Sequence, residues 1–150
     1  MNLIDYVDIK RITLIPREAS KRQTLKTLCQ LSESHIESYD NFFDAILKRE
    51  NILTTGIGYE FAFPHDKSIN ISKPFISIGV APHGVEWNSL DDKPVKLIFL
   101  IGCPLAEQSL YLHILAKISS LLLKNIENRQ NLLYSHNEDE FFNKLLALLG

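Results

Sequence analysis

The chain lacks the features that mark membrane-spanning, nucleic-acid-binding and secreted proteins. Its 150 residues carry 16 basic and 18 acidic side chains, with a formal net charge of −2 and no dense basic run. This balance disfavours binding to nucleic acid or to an anionic membrane surface. No apolar run approaches the roughly 20 residues of a transmembrane helix, and the N-terminus does not have the layout of a signal peptide. We therefore expect a cytoplasmic protein with no direct membrane insertion.

Cysteine is also scarce. Cys29 and Cys103 are far apart in the sequence and lie in apolar segments, which is typical of small core residues rather than of a disulfide or a zinc site. We expect no metal and no cofactor. With 45% hydrophobic residues over 150 positions, the sequence predicts one domain covering residues 1–150 with a core of its own.

Helical patterns occur near both ends of the chain. Ser20 is a candidate N-cap for a helix that runs to Ser32, and a second helix starts near Asp40 with Lys48 and Arg49 in its last turn. Residues 105–124 have a broad apolar stripe at helical spacing. A further helix follows residue 135, where the spacing of Ser135 and Glu138 predicts a capping box.

Strand patterns lie between these helices. Pro74 opens the apolar run PFISIGV and Pro94 opens PVKLIFLIG, and their connection contains Trp87. We expect these two strands in one sheet. Helices before and after a set of strands predict an α/β layered domain.

The segment ILTTGIGYEFAFPHDK, residues 52–67, is the most informative part of the chain. Thr54 and Thr55 beside two glycines predict a turn, and the apolar run at residues 61–63 predicts a short buried strand. Proline offers no N–H to a sheet, so we expect pairing to stop at Pro64 and His65 to emerge at the end of the sheet. There, His65 is a candidate metal ligand, general base, nucleophile, or merely a polar residue at a strand end.

This segment resembles the phosphorylation-site signature of the enzyme IIA domains of the fructose–mannitol type in the bacterial phosphoenolpyruvate-dependent phosphotransferase system, including the nitrogen-regulatory branch. In that family a Thr-Gly-x-Gly turn runs into a short apolar strand that ends in Pro-His. Three further segments are similar to the family, so the resemblance covers about the whole chain: AILKREN at residues 45–51, GVEWNSLDDKPVKLIFLI at 84–101 and LHILAKISSLLLK at 112–124. The resemblance implies a single-domain sandwich with a mixed β-sheet flanked by helices.

The resemblance implies that His65 is a phosphoacceptor that uses Nε2. This role suits imidazole, which is a nucleophile near neutral pH because its reference pKa of about 6.5 leaves one nitrogen lone pair free. Arg49 matches the family's arginine, and a guanidinium can bind phosphate oxygens in a bidentate way. Thr54 and Thr55 are expected to support the phosphoryl group, although a plain turn role explains either one equally well. Lys67 matches a frequently basic position of the family and is a further supporting candidate, although a solvated side chain is the ordinary explanation of a lysine.

The second histidine of the family pattern has no exact counterpart in this sequence. The family pattern His-Leu-x-x-Leu-Ala-x-Ile has Tyr111 at its first position here, and His113 lies two residues later. We expect His113 to supply the second imidazole if the helix start is not fully helical, with the Tyr111 hydroxyl as the alternative donor. Glu60 stands where many relatives have a small residue, and its charge would oppose a nearby phosphoryl group unless it points to solvent.

The expected function is that of a phosphocarrier with a phosphohistidine intermediate. HPr or its nitrogen-type counterpart would donate the phosphate, and a IIB domain or a regulatory target protein would receive it or respond to it. We expect mainly a nitrogen-type regulatory role, with a freestanding fructose- or mannitol-type IIA as the alternative. A different class of function is a regulatory binding module that is never phosphorylated. A small hydrolase would need a nucleophile elbow or paired carboxylates, which the sequence does not show.

Overall fold

The computed structural model describes residues 2–149, which form an α/β sandwich. The helices are α1 (Lys21–Leu31), α2 (Tyr39–Ile52), α3 (Gln108–Ile118), α4 (Ile126–Leu133) and α5 (Glu138–Leu149). The strands are β1 (Ile12–Leu14), β2 (Gly56–Gly58), β3 (Phe61–Ala62), β4 (His65–Ser68), β5 (Phe75–Val85) and β6 (Val95–Pro104). Short 3₁₀ turns span Leu3–Tyr6, Ile9–Arg11 and Glu33–His35, and a π-helical turn at Ser119–Leu123 extends α3.

The six strands form one mixed sheet in the order β1-β5-β6-β3-β2, with β4 also beside β6. The two long strands β5 and β6 are antiparallel neighbours, which confirms that the runs after Pro74 and Pro94 lie in one sheet. β1, β3 and β4 are parallel to the strands they pair with. This mixed sheet with helices on both faces confirms the predicted fold class.

β3 and β4 lie one after the other along the same edge of β6, and we call these two consecutive strands the β3–β4 track. Phe61 pairs with Leu97 and His65 pairs with Ile101, so the register is the same before and after Pro64. The Pro64 carbonyl accepts a hydrogen bond from the Ile101 N–H (3.0 Å), so proline interrupts the ladder only on its donor side. The expectation that pairing stops at Pro64 is therefore wrong: His65 is the first residue of a new strand.

Two apolar layers cover the sheet. Alternate residues of β6 face opposite sides, so Leu97, Phe99 and Ile101 pack toward α3 and α5, whereas Ile98 and Leu100 pack toward α1 and α2. Cys29 and Cys103 are free thiols buried in these two layers. Burial raises the pKa of both to about 12, which leaves them as apolar core residues.

The starts of three helices can be compared with the starts that the sequence predicts. Ser20 caps α1 as expected, in a reciprocal box with Gln23. α3 begins at Gln108 rather than at Leu105, because the chain first turns after β6. The box predicted for Ser135 and Glu138 is wrong by two residues, since Asn137 Oδ1 accepts the Glu140 N–H (2.8 Å).

None of the helices between residues 2 and 149 is long and apolar enough to cross a membrane. Within the same residues, no group of three or more histidine, cysteine, aspartate or glutamate side chains is arranged to hold a metal ion.

Candidate active site around His65

His65 has a fixed ring orientation. Its Nδ1 lies 2.7 Å from the carbonyl oxygen of Phe63. A carbonyl only accepts, so in the neutral ring Nδ1 carries the proton and Nε2 keeps its lone pair. The imidazole also stacks on the Phe63 ring, with centroids 5.5 Å apart and planes 24° apart. The half-buried ring is therefore held with Nε2 as its nucleophilic atom.

Tyr111 also lies beside this imidazole. It belongs to α3, and its ring centroid is 5.8 Å from that of His65. The Lys67 ammonium, two residues beyond His65 on the same side of β4, lies 5.7 Å from the centre of the Tyr111 ring. The structure thus brings His65, Lys67 and Tyr111 together.

His113 does not join this group. Tyr111 and His113 both lie within α3, and two residues of a regular helix correspond to a rotation of about 200°. Because Tyr111 faces His65, His113 projects from nearly the opposite side of the helix, where its side chain is exposed. The expected offset needed a helix start that is not helical, so the structure corrects the expectation: Tyr111 is the α3 residue at the site.

Arg49 reaches the site from the last turn of α2. Its Nη1 donates to the Leu53 carbonyl (2.9 Å), which ties the guanidinium to the end of its own helix. Its charge is close enough to lower the pKa of Tyr111, against the dominant effects of burial and of the nearby Asp66, which raise that pKa to about 12. Arg49, Asp66 and Tyr111 therefore share one electrostatic environment beside His65.

The hydroxyl groups of Thr54 and Thr55 have different hydrogen-bond partners. Thr54 Oγ1 accepts the Gly56 N–H (3.0 Å), which is the expected turn role and leaves its hydroxyl proton available. Thr55 is buried, and its hydroxyl donates to a carboxylate oxygen of Glu50. The structure thus places the Thr55 hydroxyl in a core hydrogen bond rather than beside the His65 ring.

Glu50 is the centre of a buried polar network that sequence reasoning missed. Its carboxylate accepts the Thr55 N–H (2.8 Å) and pairs with the Lys21 ammonium (2.8 Å). Lys21 also donates to the Trp87 carbonyl (2.9 Å). These contacts join α1, the end of α2 and the β5–β6 connection just below the turn that leads to His65. A charged residue on a helix gives no sequence signal of burial, because glutamate is rarely buried unless it is paired.

Glu60 is remote from the site. It is paired with Lys96 at 3.0 Å and is five residues from His65, about 16 Å along an extended chain. Tyr59 and Glu60 both have positive φ angles (59° and 63°) in the turn before β3. The carboxylate is thus neutralised at the opposite end of the β3–β4 track.

The family model for the phosphoenolpyruvate-dependent sugar phosphotransferase system, EIIA 2, matches residues 5–147. This chain belongs to that family. A fructose-specific EIIA component from Haloferax volcanii is 34% identical over 80% of this chain and 83% of its own length. A nitrogen regulatory protein from Bradyrhizobium diazoefficiens is 31% identical over 81% of this chain and 80% of its own length.

A longer relative and two solved structures are also similar to this chain. A fructose-specific EIIABC component from Mycoplasma pneumoniae is 35% identical over 83% of the chain, which spans only 16% of that protein. The crystal structure of the nitrogen regulatory protein IIA-Ntr from Neisseria meningitidis has a TM-score of 0.84 at 22% identity, over 97% of both chains. The IIA mannitol structure from Escherichia coli has a TM-score of 0.76 at 19% identity, over 96% of this chain and 99% of that one. The family model and the relatives of similar length confirm the predicted family, and the solved structures confirm the fold.

Proposed function

We propose that this EIIA-family chain is a phosphocarrier that accepts a phosphoryl group on His65 Nε2 from an HPr-like protein. The observation that carries the proposal is the hydrogen bond between His65 Nδ1 and the Phe63 carbonyl, which leaves Nε2 as the free nucleophile. Arg49 and Lys67 supply positive charge for the equatorial phosphoryl oxygens, and the Thr54 hydroxyl is a further donor near the turn.

The phosphate then goes to a IIB domain, or its presence on His65 signals to a regulatory target. A solved complex of enzyme IIA mannitol with phosphorylated enzyme IIB mannitol from Escherichia coli has the same fold for its IIA component. The nitrogen-type regulatory role is our first candidate. The identities of the fructose-specific and nitrogen regulatory relatives, 34% and 31%, differ little, so a sugar-branch IIA is the second candidate and the preferred donor separates the two.

A protein donor must dock around His65, and the exposed apolar side chains identify where. We define the apolar rim as Ile52, Leu53, Ile69, Leu105 and Leu112, which are between 53% and 82% exposed. Ile52 and Leu53 follow Arg49 at the end of α2, and Leu112 follows Tyr111. Ile69 follows β4, whose last residue accepts the Leu105 N–H (3.2 Å). Exposed apolar groups around a reactive residue are suited to a protein partner.

Two phosphoryl donors of different size test this docking surface. Phosphoramidate is small and reaches the imidazole without docking, whereas an HPr-like donor must contact the protein. We expect the double variant Ile69→Ser, Leu105→Ser to react with phosphoramidate at the wild-type rate, and to need about tenfold more HPr-like donor for half-maximal transfer.

The matched control is Ile126→Ser, which removes an equally exposed apolar side chain at the start of α4. This control should behave like the wild type with both donors. An unchanged donor requirement in the rim variant would remove the rim from the docking surface, and a loss of reaction with both donors would show that the two serines disturb the site itself.

A further inference from the structure

The ring of Tyr111 lies beside the His65 imidazole, with centroids 5.8 Å apart, and its hydroxyl has no hydrogen-bond partner among the described residues. Within residues 2–149 its hydroxyl makes no hydrogen bond, and it is not one of the enclosed polar atoms without a partner, so it is open to solvent or a ligand. Its ring is fixed between the His65 imidazole and the Lys67 ammonium. A polar atom on a ring that is held beside the His65 imidazole is suited to contact a group bonded to that imidazole.

The surroundings keep this hydroxyl protonated. Burial, together with Asp66 and Cys103, raises the pKa of Tyr111 to about 12, and Arg49 opposes them. The charged and titratable groups facing Tyr111 from the elements packed against it are His65, Asp66 and Lys67 on β4, Cys103 on β6 and Arg49 on α2. Across the neutral range Tyr111 is therefore an uncharged donor, and phosphoryl oxygens are acceptors.

A histidine at the same place would behave differently. Its reference pKa of about 6.5 makes it a cation in mild acid and neutral above that pH. Its stabilisation of phosphoryl charge would then fall as the pH rises, because the imidazolium contributes a full positive charge and the neutral ring does not. Tyr111 removes this dependence, since its charge does not change.

We propose, on the basis of the proposed function, that Tyr111 is a catalytic residue which donates its hydroxyl hydrogen bond to the phosphoryl group in transfer to and from His65. The lone pair of His65 Nε2 forms the new N–P bond while the P–N bond to the donor's imidazole breaks, and the donor nitrogen keeps that electron pair. The His65 Nδ1 proton stays in its bond to Phe63. Positive charge at the phosphoryl oxygens comes from Arg49 and Lys67, and the Tyr111 contribution is the same at every pH near neutrality.

The test compares three substitutions with the wild type in single-turnover transfer from a phosphorylated HPr-like donor between pH 5.5 and 8.5. Dividing each variant's rate by the wild-type rate at the same pH cancels the pH dependence of the donor, which is common to all four proteins. Tyr111→Phe keeps the ring and removes only the hydroxyl, Tyr111→His introduces an imidazole, and His113→Ala is the control on the exposed side of α3.

We expect the Tyr111→Phe ratio to be lower by about 10-fold to 100-fold and flat with pH, since a hydrogen bond to a charged group is lost. The Tyr111→His ratio should fall by about tenfold from the acidic to the alkaline end. His113→Ala should give a ratio near one throughout.

A Tyr111→Phe protein that matches the wild-type rate, or whose ratio changes with pH, would overturn the role of the hydroxyl. A Tyr111→His ratio that is flat with pH would overturn the argument from charge. If instead the wild type accepts no phosphate at all, the proposed phosphocarrier function fails, which is a separate result.

Discussion

Arg49 is positioned by a backbone hydrogen bond and has no carboxylate partner among residues 2–149. Its Nη1 donates to the Leu53 carbonyl, and the ion pairs of the described residues do not include it. The rest of the guanidinium is therefore available to a phosphoryl group. In contrast Lys48, the preceding residue, is exposed and paired with Asp44 (3.0 Å).

This difference predicts that substitutions of Arg49 and of Lys48 will affect the rate of phosphoryl transfer differently. Arg49→Ala should slow phosphoryl transfer to His65 by about 10-fold to 100-fold, because charge stabilisation in the transition state is lost. Lys48→Ala should leave the rate within about twofold of the wild type, since exposed ion pairs contribute little. Rapid-quench transfer measurements check both, and an Arg49→Ala protein with the wild-type rate would remove Arg49 from the mechanism.

His35 is a titratable residue outside the phosphoryl site. The ring is half-buried, packs edge-on against Phe75, and lies 3.4 Å from the Arg11 guanidinium. Burial and then the Arg11 charge lower the pKa of His35, with Lys73 acting in the same direction. The fold therefore favours neutral His35.

The sign of the pH effect follows from that lowered pKa. The contribution of His35 to stability is complete above the unfolded-state pKa of about 6.5 and is lost as the pH falls through and below it. We expect the free energy of unfolding to decrease between pH 7.5 and 5.5, and to decrease less in His35→Gln. Urea titrations at several pH values check this, and equal slopes for both proteins would contradict it.

At the scale of elements, the start of α5 offers a direct comparison of two capping residues. Asn137 Oδ1 accepts the Glu140 N–H, while the buried Ser135 hydroxyl has no hydrogen-bond partner among the residues described. Asn137→Ala should lower the free energy of unfolding by about 1 kcal/mol. Ser135→Ala should change it little or raise it, because an unpaired buried hydroxyl is removed. The reverse ranking in urea unfolding would show that Ser135 is the cap.

The elements that sequence patterns predicted are those with local signals. For α1 the signal is the N-cap Ser20 followed by an apolar stripe, and for β5 and β6 it is an apolar run. Each of these signals is contained within about ten consecutive residues. β1 and β4 were not predicted, because they are only three and four residues long and are stabilised by pairing with β5 and β6. Likewise, Gly56–Gly58 was expected as a turn and is a short strand because it pairs with β3.

The candidate site shows the same division between local and distant information. Adjacent residues predicted that His65 follows a short strand and that Arg49 lies in the last turn of α2, whereas the family resemblance supplied the expected roles of both residues. The choice between Tyr111 and His113 depended on whether α3 is regular at that point, and the burial of Glu50 depends on Lys21 and Trp87 from distant segments. These features arise from packing between elements, which a single sequence does not display.

At the scale of the whole molecule, the sheet brings three separate regions of the chain to one end. β4 presents His65 and Lys67, α2 presents Arg49, and α3 presents Tyr111. The exposed residues of the apolar rim adjoin these elements along the chain, whereas the Glu60–Lys96 ion pair lies at the far end of the β3–β4 track. The fold thus gathers the residues of the proposed phosphoryl site at one end of the sheet.

The most direct test of the account is incubation with phosphoenolpyruvate, enzyme I and either HPr or nitrogen-type HPr, followed by intact-mass measurement under alkaline conditions that preserve phosphohistidine. We predict one phosphate on the wild type and none on His65→Ala, and the faster donor assigns the protein to the sugar or the nitrogen branch. No phosphate on the wild type from either donor would contradict the account and leave a binding module that acts without phosphorylation.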